Sequence, residues 1–206
     1  MADRKHGAPD PETDSTVRGE DWYGRDLGQE TYTRVAFIAV DLTEATTTGT
    51  VFEDCTFTDV RFNVSQHTDS AFINCTFRGC TFFDSTFTRC KVTGSMFDRC
   101  TFDLLKVAGG NWGFVGIPGA KLEGALFDGV TLREADLTGA RCAGATFLGC
   151  DLSGAWVSKA DFEGADLRGS DLSAFDPLTV ALRGAIITEQ QAVVLAEGFG
   201  LTVREN

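Results

Sequence analysis

Two residue types in this sequence have side chains suited to a metal, redox or nucleophilic site: the seven cysteines and the two histidines. Cys55 and Cys75 are 20 residues apart, as are Cys80 and Cys100. His67 has a serine two residues before it. A serine beside a histidine is the start of a nucleophilic site, and paired cysteines can form a disulfide or bind a metal. Which chemistry applies depends on the elements that position these residues.

The sequence repeats every five residues. From Trp22 to Ile187, 34 positions spaced by five include 22 Phe or Leu, and only Thr47, His67 and Pro177 among them are not apolar. A second column, two residues earlier, consists almost entirely of small residues. A period of five fits neither a helix nor an extended strand. It predicts a chain that turns a corner every five residues, with four corners closing a coil of 20 residues.

This register accounts for the reactive side chains as parts of a core. Six cysteines occupy the small inward column, as do the serines around His67, and Cys142 takes a large inward position. His67 itself is at a large inward position, which favours a hydrogen-bonded core residue over a catalyst. We therefore expect free thiols, no metal, no cofactor and no catalytic residue, and we predict that the protein is not an enzyme.

Glycines lie two residues after the large column in much of the C-terminal half, where a type II turn needs a positive φ. The N-terminal half has fewer of them and is expected to use different turns. The segments ADLTG, ADFEG, ADLRG and SDLSA resemble the A(D/N)LxG consensus of pentapeptide-repeat proteins, and the resemblance covers about four fifths of the chain. It implies an all-β fold, a right-handed quadrilateral β-helix.

The register divides the chain into three parts. Residues 1–20 lack it and are predicted to be a flexible N-terminal tail, residues 21–187 form the β-helix, and residues 188–206 form a C-terminal capping or dimerisation helix and tail. Residues 105–119 keep the five-residue spacing, but the residues at its inward positions match the repeat poorly. They either continue the coils with unusual corners or project as a loop.

Thr188 and Gln191 have the spacing of a capping box and predict a short α-helix from about Glu189 to Glu197. In proteins of the family that the repeat resembles, the corresponding region makes a symmetric dimer. We therefore predict a homodimer with the two rods end to end; a cap folded back on its own coil is the alternative. The residues expected at the dimer interface are apolar: Val193, Leu195, Ala196, Phe199 and Leu201.

The chain carries a formal net charge of −12, which opposes direct binding to nucleic acid or to an anionic membrane and favours a basic protein partner. It has neither an 18-residue apolar run nor a signal-peptide core, so a cytoplasmic location is expected. Assigning residues to sides by a period of 20 concentrates acid on the side centred on residues 22, 42, 62 and onward, with eight acidic residues against three basic ones. We call this side the acidic face. Its predicted partner-binding residues are Asp41, Glu44, Asp84, Asp103, Glu123, Asp161 and Glu163.

The repeat, the acidic face, the scarcity of loops and the C-terminal helix together look most like the loop-poor fluoroquinolone-resistance branch of the family, of the kind found in actinobacteria. That resemblance implies a DNA mimic that binds DNA gyrase and protects it from quinolone-like or other inhibitors. Topoisomerase IV is a second candidate target, and both the DNA groove and the ATPase domains remain open as binding sites. The alternative is a structural or scaffolding module without a role at topoisomerases.

Overall fold

The computed structural model describes residues 9–204, which form a four-sided β-solenoid followed by one helix. Each strand or bridge pairs in parallel with residues 20 positions away, as in Phe37↔Phe57 and Phe57↔Phe77. The predicted coil of 20 residues and the β-helical fold are therefore confirmed. Because the period holds without insertion, the number of a residue gives its side of the rod.

Three of the four sides are parallel sheets of short strands. Their orders are β1-β3-β6-β9-β11, β4-β7-β10-β12-β13-β14 and β2-β5-β8, and the acidic face is held by isolated bridges. The strands are β1 (Ser15–Arg18), β2 (Thr31–Thr33), β3 (Val35–Ile38), β4 (Thr46–Thr48), β5 (Val51–Glu53), β6 (Thr56–Thr58), β7 (Gln66–Thr68), β8 (Ala71–Ile73), β9 (Thr76–Arg78), β10 (Thr86–Thr88), β11 (Met96–Asp98), β12 (Lys106–Ala108), β13 (Leu126–Asp128) and β14 (Thr146–Leu148).

The core runs along the axis of the rod and is built from the two inward columns. Its large column is strongly aromatic in the first half, and rings on successive coils lie parallel. The rings of Phe57 and Phe77 are 4.7 Å apart between centroids, and those of Phe77 and Phe97 are 4.4 Å apart. Each such pair contributes about 0.5–1.5 kcal/mol beyond the burial of its surface. The stacks therefore hold each coil to the next.

The corners confirm the role predicted for the glycines. In the turn that begins at Leu42, the amide of Ala45 donates to the Leu42 carbonyl (3.1 Å), and Glu44 between them has φ 58°, the pattern of a type II turn. The glycines of the C-terminal half occupy the same position with positive φ. Fifteen other residues adopt this left-handed conformation without being glycine, eleven of them before residue 100, at a greater conformational cost. Within residues 9–204, the corners after Phe52, Phe57 and Phe77 lack the hydrogen bond that closes the turn at Leu42, so the N-terminal half uses different turns at many corners, as expected.

The coils begin earlier than the predicted boundary at residue 21. β1 lies within the segment assigned to a tail, and its Val17 pairs with Phe37. Val17 belongs to the five-residue register, which explains why the coil extends to it. Residues 1–8 of the predicted tail lie outside the described part of the chain. Between 105 and 119 the coils continue, with Val107, Trp112 and Ile117 buried in the core.

The helix α1 (Glu189–Gly198) closes the last coil, and its capping box forms as predicted between Thr188 and Gln191. The Gln191 amide also donates to the carbonyls of Leu167 (2.6 Å) and Ser170 (2.7 Å) in the coils below. Leu195 packs against the core while partly buried. The helix thus satisfies carbonyl groups that would otherwise end the solenoid unpaired.

Candidate interaction face

The structure places the seven predicted acidic residues on one side of the rod. Backbone bridges join Asp21 to Asp41 and Arg141 to Asp161, so these residues follow one line along the axis. Glu44 and Asp84 stand at the corner beside that line. In each four-residue turn, the side chains that follow the buried apolar residue point outward. The acidic face is therefore a continuous surface drawn from successive coils.

More than half of this acid is already paired with cations of the protein itself. The ion pairs are Asp41 with Arg61 (2.5 Å), Asp84 with Lys106 (2.6 Å), Glu123 with Arg141 (3.0 Å) and Glu163 with Arg183 (2.6 Å). Within residues 9–204, Glu44, Asp103 and Asp161 form no ion pair. Arg183 lies on the same face and was missed in the count of three basic residues, so the net charge of the face is −4.

Asp41 illustrates how these carboxylates are held. Partial burial raises its pKa, but hydrogen bonds from Thr43 and from the Arg61 guanidinium outweigh this effect and leave the pKa below its ordinary value. The Thr43 amide donates to Asp41 Oδ1 at 3.0 Å, a local turn contact. Glu44, one corner away, raises the pKa of Tyr23 through a hydrogen bond. Asp41 therefore stays ionised well below neutral pH.

The backbone ladder of the acidic face has one interruption. Bridges run from Asp21 to Thr101 and resume from Lys121 to Ala181, but none joins Thr101 to Lys121 among the described residues. A cavity of about 270 Å³ opens there, lined among others by Phe97, Cys100 and Phe102. Pro118 also lines this cavity. The two halves of the face are thus joined less tightly than the coils within each half.

The acidic face also bears exposed apolar side chains that sequence reasoning missed. Phe83 is 48% exposed, Leu104 51% and Val64 37%. Val64 and Leu104 stand in the corner column, where five residues of the same face are glycine: Gly24, Gly124, Gly144, Gly164 and Gly184. The sequence could have revealed these exposed side chains, because a large apolar residue stands in a column that is mostly glycine.

His67 is completely enclosed by the core, as its register position predicted. Ser65 donates to its Nε2 (2.9 Å), and its Nδ1 lies 2.9 Å from the Thr47 hydroxyl, which continues to Ser70 (2.8 Å) and the Thr68 carbonyl. Burial lowers the pKa of His67 to about 3. A neutral imidazole with one N–H fits this chain of donors, and no solvent reaches it for turnover.

The cysteines are free thiols whose sulfur atoms donate to backbone carbonyls of neighbouring coils. Burial raises the pKa of Cys90 to about 11, whereas a hydrogen bond with Cys75 lowers the pKa of Cys55. Within residues 9–204 no cluster of His, Cys, Asp or Glu side chains has the arrangement to hold a metal ion. No helix in that range is long and apolar enough to cross a membrane.

The C-terminal end presents a second apolar surface. Of the predicted dimerisation residues, Phe199 is 57% exposed, Leu201 61% and Val193 39%, whereas Leu195 and Ala196 are half-buried. The helix therefore divides the set, with Leu195 turned to the coil beneath it and the exposed members left at the end of the rod.

Comparison with known proteins supports the fold. Residues 119–171 match the family model of pentapeptide repeats (9 copies). No curated protein matches the sequence. A trypsin-treated variant of QnrB1, a plasmid-mediated fluoroquinolone resistance protein, has a similar structure, with a TM-score of 0.62 and 24% identity over 94% of this chain and 99% of that one. A second trypsin-treated variant of QnrB1 has a TM-score of 0.56 and 25% identity over the same shares. Full-length QnrB1 has a TM-score of 0.51 and 23% identity over 92% of this chain and 99% of that one.

Proposed function

Since the chain is a pentapeptide-repeat protein, we propose that it binds DNA gyrase as a mimic of duplex DNA and protects the enzyme from quinolone-like or other inhibitors. The observation that carries this proposal is the alignment of acidic residues on one side of a straight rod. The structural likeness to a fluoroquinolone resistance protein supports it. The partner surface is the basic groove of gyrase that receives DNA, and the site of action is the cytoplasm.

The mimicry rests on shape and on the line of charge. About eight coils at the strand spacing give a rod roughly 38 Å long, so eight acidic residues amount to about one per 5 Å, against one charge per 1.7 Å in duplex DNA. Basic residues of the partner would also replace the cations that now pair with Asp41, Asp84, Glu123 and Glu163. Exposed ion pairs contribute at most about 1 kcal/mol each, so this exchange costs little.

We propose further that the protein is a homodimer joined through the C-terminal ends. Phe199, Leu201 and Val193 supply the exposed apolar surface, while Leu195 packs against the coil and Ala196 is half-buried. An end-to-end pair would double the length of the acidic face, bringing it closer to that of a DNA segment bound in a groove.

A gyrase assay tests the function. The protein is titrated into supercoiling and quinolone-induced cleavage reactions, and we expect inhibition of the first and protection in the second at micromolar concentration. Asp103→Lys should raise the concentration needed several-fold, because this carboxylate forms no ion pair within the described residues. Asp128→Lys, which reverses an exposed acid on a different side, is the matched control. No effect of the wild-type protein, or equal effects of the two variants, would refute the proposal.

A scaffolding module is the alternative function. It is favoured by the four ion pairs within the acidic face, because a surface that neutralises its own charge is typical of a rod kept soluble by mixed charges. The same titration separates the two functions, since a scaffold would leave both gyrase reactions unchanged.

A further inference from the structure

We propose that Val64, Phe83 and Leu104 form an apolar anchor in the middle of the acidic face, which inserts into an apolar recess bordered by Lys and Arg on a folded protein partner. This inference deepens the proposed function and rests on it. It adds that the partner is held by a specific protein–protein contact at this place as well as by charge.

The three residues lie on successive coils along one edge of the acidic face. The amide of Val64 donates to the carbonyl of Phe83 (2.7 Å), and the amide of Asp84 donates to the carbonyl of Asp103 (2.9 Å), the residue before Leu104. Backbone bonds therefore fix the three residues along one edge of the rod, about one strand spacing apart. Their exposed fractions are 37%, 48% and 51%, and we call the three side chains the apolar patch. Asp84, paired with Lys106, stands between Val64 and Leu104 in the corner column.

Folding gains little from these side chains and is opposed by two of them. Val64 and Leu104 both have φ 58°, a conformation that is unfavourable for residues with a Cβ and most of all for a β-branched one. Val64 is 37% exposed and Leu104 is 51% exposed, so burial compensates only part of this cost. At the same corner of this face, five coils have glycine, and two have the acidic residues Glu44 and Asp84. Strain that brings no packing is an indication of a functional surface.

The charges around the patch specify the partner. Glu44 lies before it along the rod, Asp103 beside it and Glu123 after it. An anionic membrane or a nucleic acid would meet like charge here, and a second copy of the chain would oppose acid to acid. An apolar centre with a charged rim is the usual anatomy of a protein interface, and its energetic centre is such a group of large side chains. The complementary surface is an apolar pocket with a basic rim.

The contributions of the anchor and of the acidic residues to affinity differ in their dependence on salt concentration. Charge pairs formed with a basic surface weaken as salt rises, whereas burial of an apolar side chain does not depend on ions in this way. Removing the anchor should lower affinity by the same factor at every salt concentration. Removing an acid should instead reduce the slope of log Kd against log salt.

The test uses the full-length chain with Val64→Gly, Phe83→Thr and Leu104→Gly together. Each change follows what the repeat already places in the same column, namely glycine at the corner and Thr43 two coils before Phe83. Binding to purified DNA gyrase is measured by calorimetry or surface plasmon resonance at about six salt concentrations between 50 and 300 mM, over which the screening length of charges shortens. We expect affinity to fall by about tenfold or more with an unchanged salt slope, and thermal stability to rise.

Phe114→Gly is the control, because it removes a large apolar residue from a left-handed corner (φ 60°) on another side of the rod. It should leave affinity unchanged. Asp103→Lys is the second comparison and should change the slope.

Three outcomes would overturn the inference. If wild-type protein binds gyrase and the triple variant binds equally well, the anchor is absent and the proposed function stands. If the triple variant has a different mass in solution from the wild type, the patch joins copies of this chain. If the wild-type protein does not bind gyrase, the proposed function and the anchor fall together.

Discussion

The enclosure of His67 leads to a quantitative prediction about pH. Its pKa is about 3 in the folded protein because burial disfavours the charged form, while an unfolded histidine titrates near 6.5. At pH values between these two pKa values, His67 binds a proton in the unfolded chain but not in the folded chain. The contribution of His67 to stability is therefore fully present above pH 6.5 and is lost as pH falls toward 3. Integration gives a loss of about 3 kcal/mol between pH 7 and pH 4.

His67→Phe should remove this dependence while keeping the fold. The position belongs to the large column, and its ring already lies 4.6 Å from that of Phe87 between centroids, so a phenyl ring continues the stack. Ser65 would lose its partner on the imidazole. Ser85 and Ser95, in the same small column, donate instead to the carbonyl 23 residues before them, and the same geometry offers Ser65 the Leu42 carbonyl.

The assay is urea unfolding followed by circular dichroism at pH 7, 5.5 and 4. The difference in unfolding free energy between His67→Phe and wild type should grow by about 1 kcal/mol from pH 7 to 5.5 and by about 3 kcal/mol from pH 7 to 4. His67→Gln separates titration from packing, because it should be less stable than His67→Phe yet follow the same pH dependence. Parallel curves for wild type and both variants would show that the native imidazole binds a proton over the same pH range as in the unfolded chain, and would refute the account of its enclosure and hydrogen bonds.

Two further predictions concern the corners and the end of the rod. Gly110→Ala should destabilise the fold by several kcal/mol, because an added Cβ would lie 2.2 Å from a backbone oxygen of the preceding coil. Gly119→Ala has open space around the added Cβ and should cost only the strain of the left-handed conformation, about 1 kcal/mol. Thermal denaturation of both variants measures the difference in stability, and equal losses would contradict this prediction. Phe199→Lys with Leu201→Lys should convert the proposed dimer to a monomer in light scattering while leaving the melting temperature of the coils within about 2 °C; a wild-type protein that is already monomeric would remove the end-to-end arrangement.

The features that sequence could predict are those set by the repeat itself. The identity of Phe57 and Phe77 as large inward residues, and of Gly139 as a left-handed corner, follows from position alone, since each coil presents the same environment. The capping box at Thr188 is similarly local, because its two partners are three residues apart. Such features need no knowledge of neighbouring coils.

The features that sequence could not predict depend on contacts between coils. The ion pair of Asp84 with Lys106 joins residues that are 22 positions apart and lie on two different sides of the rod. A count of charges side by side therefore places the two residues on separate sides and does not predict their pairing. The gap in the ladder between Thr101 and Lys121 leaves no mark in the sequence, because the five-residue count continues through it. The start of the coils at β1 was missed because Val17 is the only large apolar member of its column before Trp22.

The ion pairs and the apolar patch bear on the same physical question of how this surface gains affinity. Since Asp41, Asp84, Glu123 and Glu163 are already neutralised, a basic partner gains little more than an exchange of cations at these four places. Only Asp21, Glu44, Asp103 and Asp161 offer carboxylates without a cation of their own within the described residues, which is too few for charge alone to compete with duplex DNA in one groove. An apolar anchor beside Asp103 supplies what the charge lacks, because its contribution does not require ions to be displaced. A DNA mimic of low charge density can therefore bind a DNA site tightly only if it also recognises the protein around that site.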